Sequence, residues 1–307
     1  MDRSAHVCLE LSSRAQNVAL VRQALRGLAD ATGLFPADLN DIGTAVTEAC
    51  NNVSAHAYEG REGSLVVGLL ARGATIVVTV RDRGVGLALD GGAPRVFPSD
   101  VDGELAGIGV PSIQALAKGA RWSEPSGGGT EVEMTFSTGS LDWKGVGSGY
   151  AFAEPYSTEP GSLAEAIEVG MAPVSVAERV LPRLLRAMAD RAHFSVERHE
   201  DVQRVGSAAL LADPSMWSAS GVHARLVASG SSLEVAVGPL CEEDVARVAV
   251  SACATEPNLS VSSERLAGKP RRLVLRLDRS RAVPGSVRPV EQEWRSGLAT
   301  GALPWRA

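Results

Sequence analysis

Long hydrophobic runs are scarce in this chain of 307 residues. The longest, residues 65–71, falls well short of the roughly 20 apolar residues that a membrane-spanning helix requires, so a helical membrane protein is not expected. Residues 1–4 (Met-Asp-Arg-Ser) carry no basic segment leading into an apolar core, and no secretory signal is expected. Positive charge is not in excess: the formal net charge is −6, which speaks against a nucleic-acid binder driven by phosphate contacts. Lysine is nearly missing, at Lys118, Lys144 and Lys269 alone, and arginine supplies the rest of the 30 basic residues. Cysteine is sparse too. Cys8, Cys50, Cys241 and Cys253 form no C-x-x-C pair, so neither a zinc site nor a thioredoxin-like motif is supported. They read as small buried residues of a reduced, cytoplasmic protein.

What remains is a chain able to bury a core, with 45% hydrophobic and 21% charged residues, and long enough for two domains. The first 137 residues alternate helical and strand signals. Residues 7–11 predict a short edge strand. Val18, Val21, Leu25 and Leu28 recur at helical spacing over residues 15–32, and Gly33 follows as a stop. Asp38 opens a second helix with Ile42, Ala45, Val46, Ala49 and Val53 on one face. Strands are predicted at 65–71 and 75–80, joined by Arg72-Gly73-Ala74, then a helix over 111–118 and a last strand over 131–136.

The character changes after Thr138. Glycine and proline recur through 139–162 without periodicity, and Gly145-x-Gly147-x-Gly149 reads as linker, since it lacks the Lys-Ser/Thr of a phosphate loop. The second half then resembles the first when shifted by 160 positions: Leu25-Arg26-x-Leu28-Ala29-Asp30 faces Leu185-Arg186-x-Met188-Ala189-Asp190, and Asp41 faces Asp201. Few identities support this alignment, and coincidence is the competing reading. The expected division is residues 1–138 as one domain, 139–165 as a linker, 166–283 as a degenerate copy and 284–307 as a tail.

The second helix carries the first chemistry. Glu48, Asn52 and His56 are spaced four apart, which places a carboxylate, an amide and an imidazole on one helical face. That set suits a general base beside an oxygen ligand for a hard cation, and a solvated polar face is the alternative. The strand over 75–80 runs into Asp82-Arg83-Gly84-Val85-Gly86, where glycines let the backbone approach a ligand and an acid can accept hydrogen bonds from a base amine. Gly107-Ile108-Gly109 comes just before a helix, whose first amides suit a phosphate. Gly127-Gly128-Gly129-Thr130 precedes the last strand.

These four elements, in this order, resemble the GHKL or Bergerat-fold ATPases. The segment Glu48-Ala-Cys-Asn-Asn52, with His56-Ala57-Tyr58, is most similar to the RsbW and SpoIIAB anti-sigma factor serine kinases, over roughly residues 7–137. The resemblance implies an α+β sandwich with helices on one face of a mixed, mainly antiparallel sheet. It implies ATP and Mg2+ as cofactors, with Asn52 holding the metal and Glu48 polarising the attacking hydroxyl. Asp82 would accept from the adenine amino group, Gly84 and Gly86 would give the ring room, Gly107 and Gly109 would turn amides toward the phosphates, and Thr130 would support the adenine side. Glu48 is thus the catalytic candidate, and Asn52, Asp82, Gly84, Gly86, Gly107, Gly109 and Thr130 are the binding set. The implied substrate is a small anti-anti-sigma (STAS-type) protein, phosphorylated on Ser or Thr, and the implied second partner is a sigma factor.

One position departs from the family. Where an arginine often precedes the second glycine box, this chain reads Glu104-Leu105-Ala106-Gly107. Phosphoryl transfer depends on positive charge near the moving group, so the substitution bears on turnover more than on binding; Arg83, Arg95 or Lys118 are the available replacements. A nucleotide-gated binding protein with little catalysis is the alternative function. In the second half the motifs are gone: Ala208 stands at the place of Glu48, Ala212 at that of Asn52 and Pro239 at that of Asp82. Such a copy would act as a built-in partner.

Overall fold

The computed structural model describes residues 4–86, 89–90, 93–94, 109–139, 166–211, 221–240, 244–245, 248–249, 259–265 and 271–278. The chain divides into two compact units, residues 1–180 and 181–307.

The first unit opens with strand β1 (Ser4–Ser12), helix α1 (Val18–Thr32) and helix α2 (Pro36–Asn52). Gly33 ends α1 as its position suggests. It takes the left-handed conformation at φ 70°, and the N–H groups of Gly33 and Leu34 both reach the Ala29 carbonyl. The second helix begins two residues earlier than Asp38, at Pro36, whose fixed φ and missing N–H suit a first helical turn. Asp38 lies within that turn, favourably placed for the helix dipole. Strands β2 (Ser64–Arg72) and β3 (Thr75–Asp82) follow as a hairpin, then the two-residue strands β4 (Leu89–Asp90) and β5 (Ala93–Pro94), helix α3 (Gly109–Leu116), and strands β6 (Gly119–Ser123) and β7 (Glu131–Ser137). Strand β8 (Ala166–Ala172) and the start of helix α4 (Val174–Arg191) also fall in this unit.

The pairings β8–β1, β1–β2, β2–β3, β3–β7 and β7–β6 are all antiparallel, so among the described residues the sheet is antiparallel throughout, not mixed. In β3 every second residue is buried (Ile76, Val78, Val80 and Asp82), and in β7 so are Val132, Met134 and Phe136. At β3 and β7 that alternation gives the sheet a buried face, on the side where α1, α2 and α3 pack, and a more exposed one. Ile42, Ala45, Val46 and Ala49 bring the apolar stripe of α2 onto the buried face, and the larger two, Ile42 and Val46, contribute about 1.5–3 kcal/mol each.

The expected edge strand is a correction. Strand β1 has β2 on one side and β8 on the other, and His6 and Glu10 are buried along with its apolar residues. The alternation of polar and apolar residues suggested an outer strand; a strand about 160 residues away takes its second hydrogen-bonding edge, and neighbouring side chains on both sides flank His6 and Glu10.

The second unit holds the rest of α4, helix α5 (Val196–Leu211), and strands β9 (Val222–Ser229), β10 (Ser232–Leu240), β11 (Ser260–Arg265) and β12 (Arg271–Asp278). Its strands pair antiparallel as β9–β10, β10–β12 and β12–β11. Arg198, buried in α5, donates from Nη1 to Asp201 Oδ2 at 2.7 Å and from Nη2 to the Asp278 carbonyl at 2.7 Å, tying the helix to the end of β12.

Candidate functional site

The site is assembled where the C-terminal end of α2 meets the end of β3. After Asn52 the helix widens into a π-helical turn over Val53–Ala57, a local feature that recurs at functional sites. The Ala57 carbonyl then accepts the Val85 N–H at 2.9 Å. Directly beneath it, a Cβ on Gly84 would stand 1.9 Å from the same oxygen. Only glycine lets the loop after β3 lie this close to the helix end. Tyr58 adds a second tie: its hydroxyl accepts the Arg83 N–H at 2.9 Å and donates to the Ser64 carbonyl at 2.5 Å. Burial pushes the Tyr58 phenol above its ordinary pKa, so it stays a donor across the physiological range.

The loop before β7 closes the other side. Thr130 accepts the Asp82 N–H through its carbonyl at 2.9 Å and donates its own N–H to Asp82 Oδ1 at 3.2 Å. Gly129, at φ 87°, approaches so closely that a Cβ would stand 2.2 Å from the Asp82 carbonyl oxygen. Gly86, at φ 79°, faces the Gly129 carbonyl. Asp82, Gly84, Gly86 and Thr130 therefore meet in one place, as their order in the sequence suggests.

Asp82 is 3% exposed, and its Oδ1 also accepts the Gly84 N–H at 2.8 Å. Burial raises the pKa of its carboxyl above the usual aspartate range, while the N–H groups of Gly84 and Thr130 oppose the shift. A buried carboxylate so held has acceptor capacity left for an exocyclic amine. The glycines around it let backbone pack on backbone, Gly84 against Ala57 and Gly129 against Asp82.

Glu48 and Asn52 lie half-buried on α2, one turn apart. His56 does not extend their row as the spacing suggests: it sits in the π-helical turn, whose wider winding takes it out of the i, i+4 line, and it is exposed. Glu48 also lines a cavity of about 290 Å³ between α1 and α2, together with Arg22, Arg26, Asn40, Thr44 and Thr47. Arg22 and Arg26 are basic groups brought to the Glu48 side, a place no motif assigned to them. They stand one turn apart on α1, and the packing of α1 on α2 brings them there.

Of the replacement cations, Lys118 lies at the wrong end. It shares a cavity with Asp38 and Asp41, near the start of α2. At 1.5 Å per residue, Asp38 is about 20 Å from Asn52 along the helix. Arg83 is exposed beside Asp82, and Arg95 and Gly107 lie outside the described residues. Gly109 is the first residue of α3, which packs on α2. Cys50, buried on α2, has its thiol pushed up to about 12 by burial, which leaves it an inert packing group.

Among the described residues no helix is long and apolar enough to cross a membrane, and no three or more His, Cys, Asp or Glu side chains gather as a metal cage. A magnesium ion needs no such cage when nucleotide phosphates supply most of its ligands and the protein adds one oxygen.

Residues 11–136 match the histidine kinase-like ATPase domain. Relatives include the serine-protein kinase RsbW of Bacillus cereus (strain AH187), 28% identical over 101 residues, which are 33% of this chain and 63% of that protein. RsbW of Bacillus anthracis is 27% identical over the same shares. The anti-sigma F factor of Thermoanaerobacter sp. (strain X514) is 29% identical over 133 residues, 43% of this chain and 93% of that protein. The chain thus spans 63% of the length of these RsbW relatives. Over residues 11–136 the chain is thus similar to the histidine kinase-like ATPase domain, and within that span to RsbW and the anti-sigma F factor.

Proposed function

We propose that the N-terminal module binds ATP with Mg2+ and transfers its terminal phosphoryl group to a serine or threonine of a small STAS-type anti-anti-sigma protein, and that it also binds a sigma factor. The observation that supports this most is Asp82: a buried carboxylate held by two backbone N–H groups, among glycines packed closely on backbone. That is a purine-amine acceptor by its chemistry. In this reading Gly84, Gly86 and Thr130 shape the base pocket, and Asn52 offers its amide oxygen to the metal. Gly107 and Gly109 turn backbone amides toward the phosphates. ATP supplies the phosphoryl group and Mg2+ offsets its charge.

Glu48 takes the proton of the attacking hydroxyl. The cavity it shares with Arg22 and Arg26 gives an acceptor segment a route to that carboxylate, and the two guanidinium groups add positive charge on that side. They compensate for the missing arginine before Gly107.

The test is Glu48→Gln. Phosphate transfer to a STAS-type protein should fall by about 10²-fold or more, the usual worth of a positioned base, while ATP affinity stays within about twofold. Undiminished transfer would remove Glu48 from the mechanism. Binding without transfer in the unaltered protein would favour the nucleotide-gated binding role, which the absence of an arginine before Gly107 also supports.

A further inference from the structure

The two units are built to one plan. In the first, β2, β3, β7 and β6 pair in that order; in the second, β9, β10, β12 and β11 do the same. Each set is preceded by a strand and two helices, β1–α1–α2 and β8–α4–α5. At the shift of 160 that aligns the sequences, α5 starts at the counterpart of the first residue of α2.

The pairing of β1 with β8 carries the same relation. Its register sets His6 against Ala172, Cys8 against Gly170 and Glu10 against Glu168, with Leu9 against Val169 at its centre. Val169 is the counterpart of Leu9 at the 160 shift. An antiparallel pair in which a residue faces its own equivalent is the signature of a two-fold axis between like strands. The helices agree: Gly27 of α1 lies so near α4 that a Cβ would stand 2.7 Å from Val180 Cα. Both strands are buried along their length.

We propose that the second half is a nucleotide-silent copy of the first, whose strand β8 closes the β1 edge within the same chain. An open β1 would offer unpaired N–H and C=O groups to another molecule; here that edge is taken, so a second copy of this chain cannot pair there. The copy has Ala208, Ala212 and Pro239 at the positions of Glu48, Asn52 and Asp82, none of which can accept a base amine or hold a cation through its side chain. The chain is then a working monomer with one nucleotide site. The count of one site rests on the ATP reading above, and the closed edge does not.

Amide hydrogen exchange on the nucleotide-free, full-length protein tests the closed edge without calling on ATP. Amides of residues 5–11 and 167–171 should exchange at least about tenfold more slowly than open-edge amides. The rates should not change on dilution, and native mass spectrometry of the same sample should give 32.0 kDa. Fast exchange in β1, protection that is lost on dilution, or a dimeric mass would overturn the proposal.

Discussion

Asp82 sits where a negative charge is costly: buried, with its carboxyl raised above the ordinary aspartate range by that burial. The sign of the linkage follows. In the unfolded chain the carboxyl ionises at a lower pH than in the folded one, so stability falls as pH rises from the unfolded pKa through the folded one. At neutral pH Asp82 therefore subtracts from stability, as the proposed binding role would have it. Asp82→Asn keeps an oxygen for the Gly84 and Thr130 amides and removes the charge. The variant should melt no lower than the parent at pH 7, yet lose at least about tenfold in ATP affinity, about 1.4 kcal/mol. Acid should act in the same direction on the parent, weakening ATP binding as pH falls through the raised Asp82 pKa. A variant that melts lower and binds normally would make Asp82 a structural residue.

At the scale of elements, the site depends on the helix end being clamped to the strand end. Gly84 and Tyr58 make that clamp. Tyr58→Phe removes both hydroxyl bonds and leaves the Ser64 carbonyl and Arg83 N–H without that partner, a loss of about 1–3 kcal/mol. Gly84→Val puts a branched side chain against the Ala57 carbonyl, and it should cost more in thermal unfolding than Tyr58→Phe. Equal melting for Gly84→Val and the parent would show that the helix and loop do not touch. Much of this was legible in the sequence. The 3.6 period of α1, the alternation of β3 and β7, and Gly33 are local signals, and the glycine loops at 82–86 and 127–130 meet as their order suggested. What was not legible depends on distant contacts. The π-helical turn that displaces His56 has no composition of its own. Strand β6 has no alternation to read, with Trp122 its one buried large residue. Strand β1 looked like an edge because its second neighbour, β8, lies beyond a long Gly- and Pro-rich stretch. Arg22 and Arg26 became visible only when α1 was laid beside α2.

For the whole molecule, the proposed reading is a nucleotide module followed by a copy without the same side chains at the matching positions. Its central claim is that Asn52 and Asp82 belong to a single Mg2+-dependent nucleotide site per chain. Calorimetric titration of the full-length protein with ATP, with and without magnesium, and of Asn52→Ala beside it, tests that claim most directly. The account predicts one site per chain, tighter with magnesium in the parent, and a loss of the magnesium effect in Asn52→Ala. No binding, two sites per chain, or the same magnesium dependence in Asn52→Ala would contradict it.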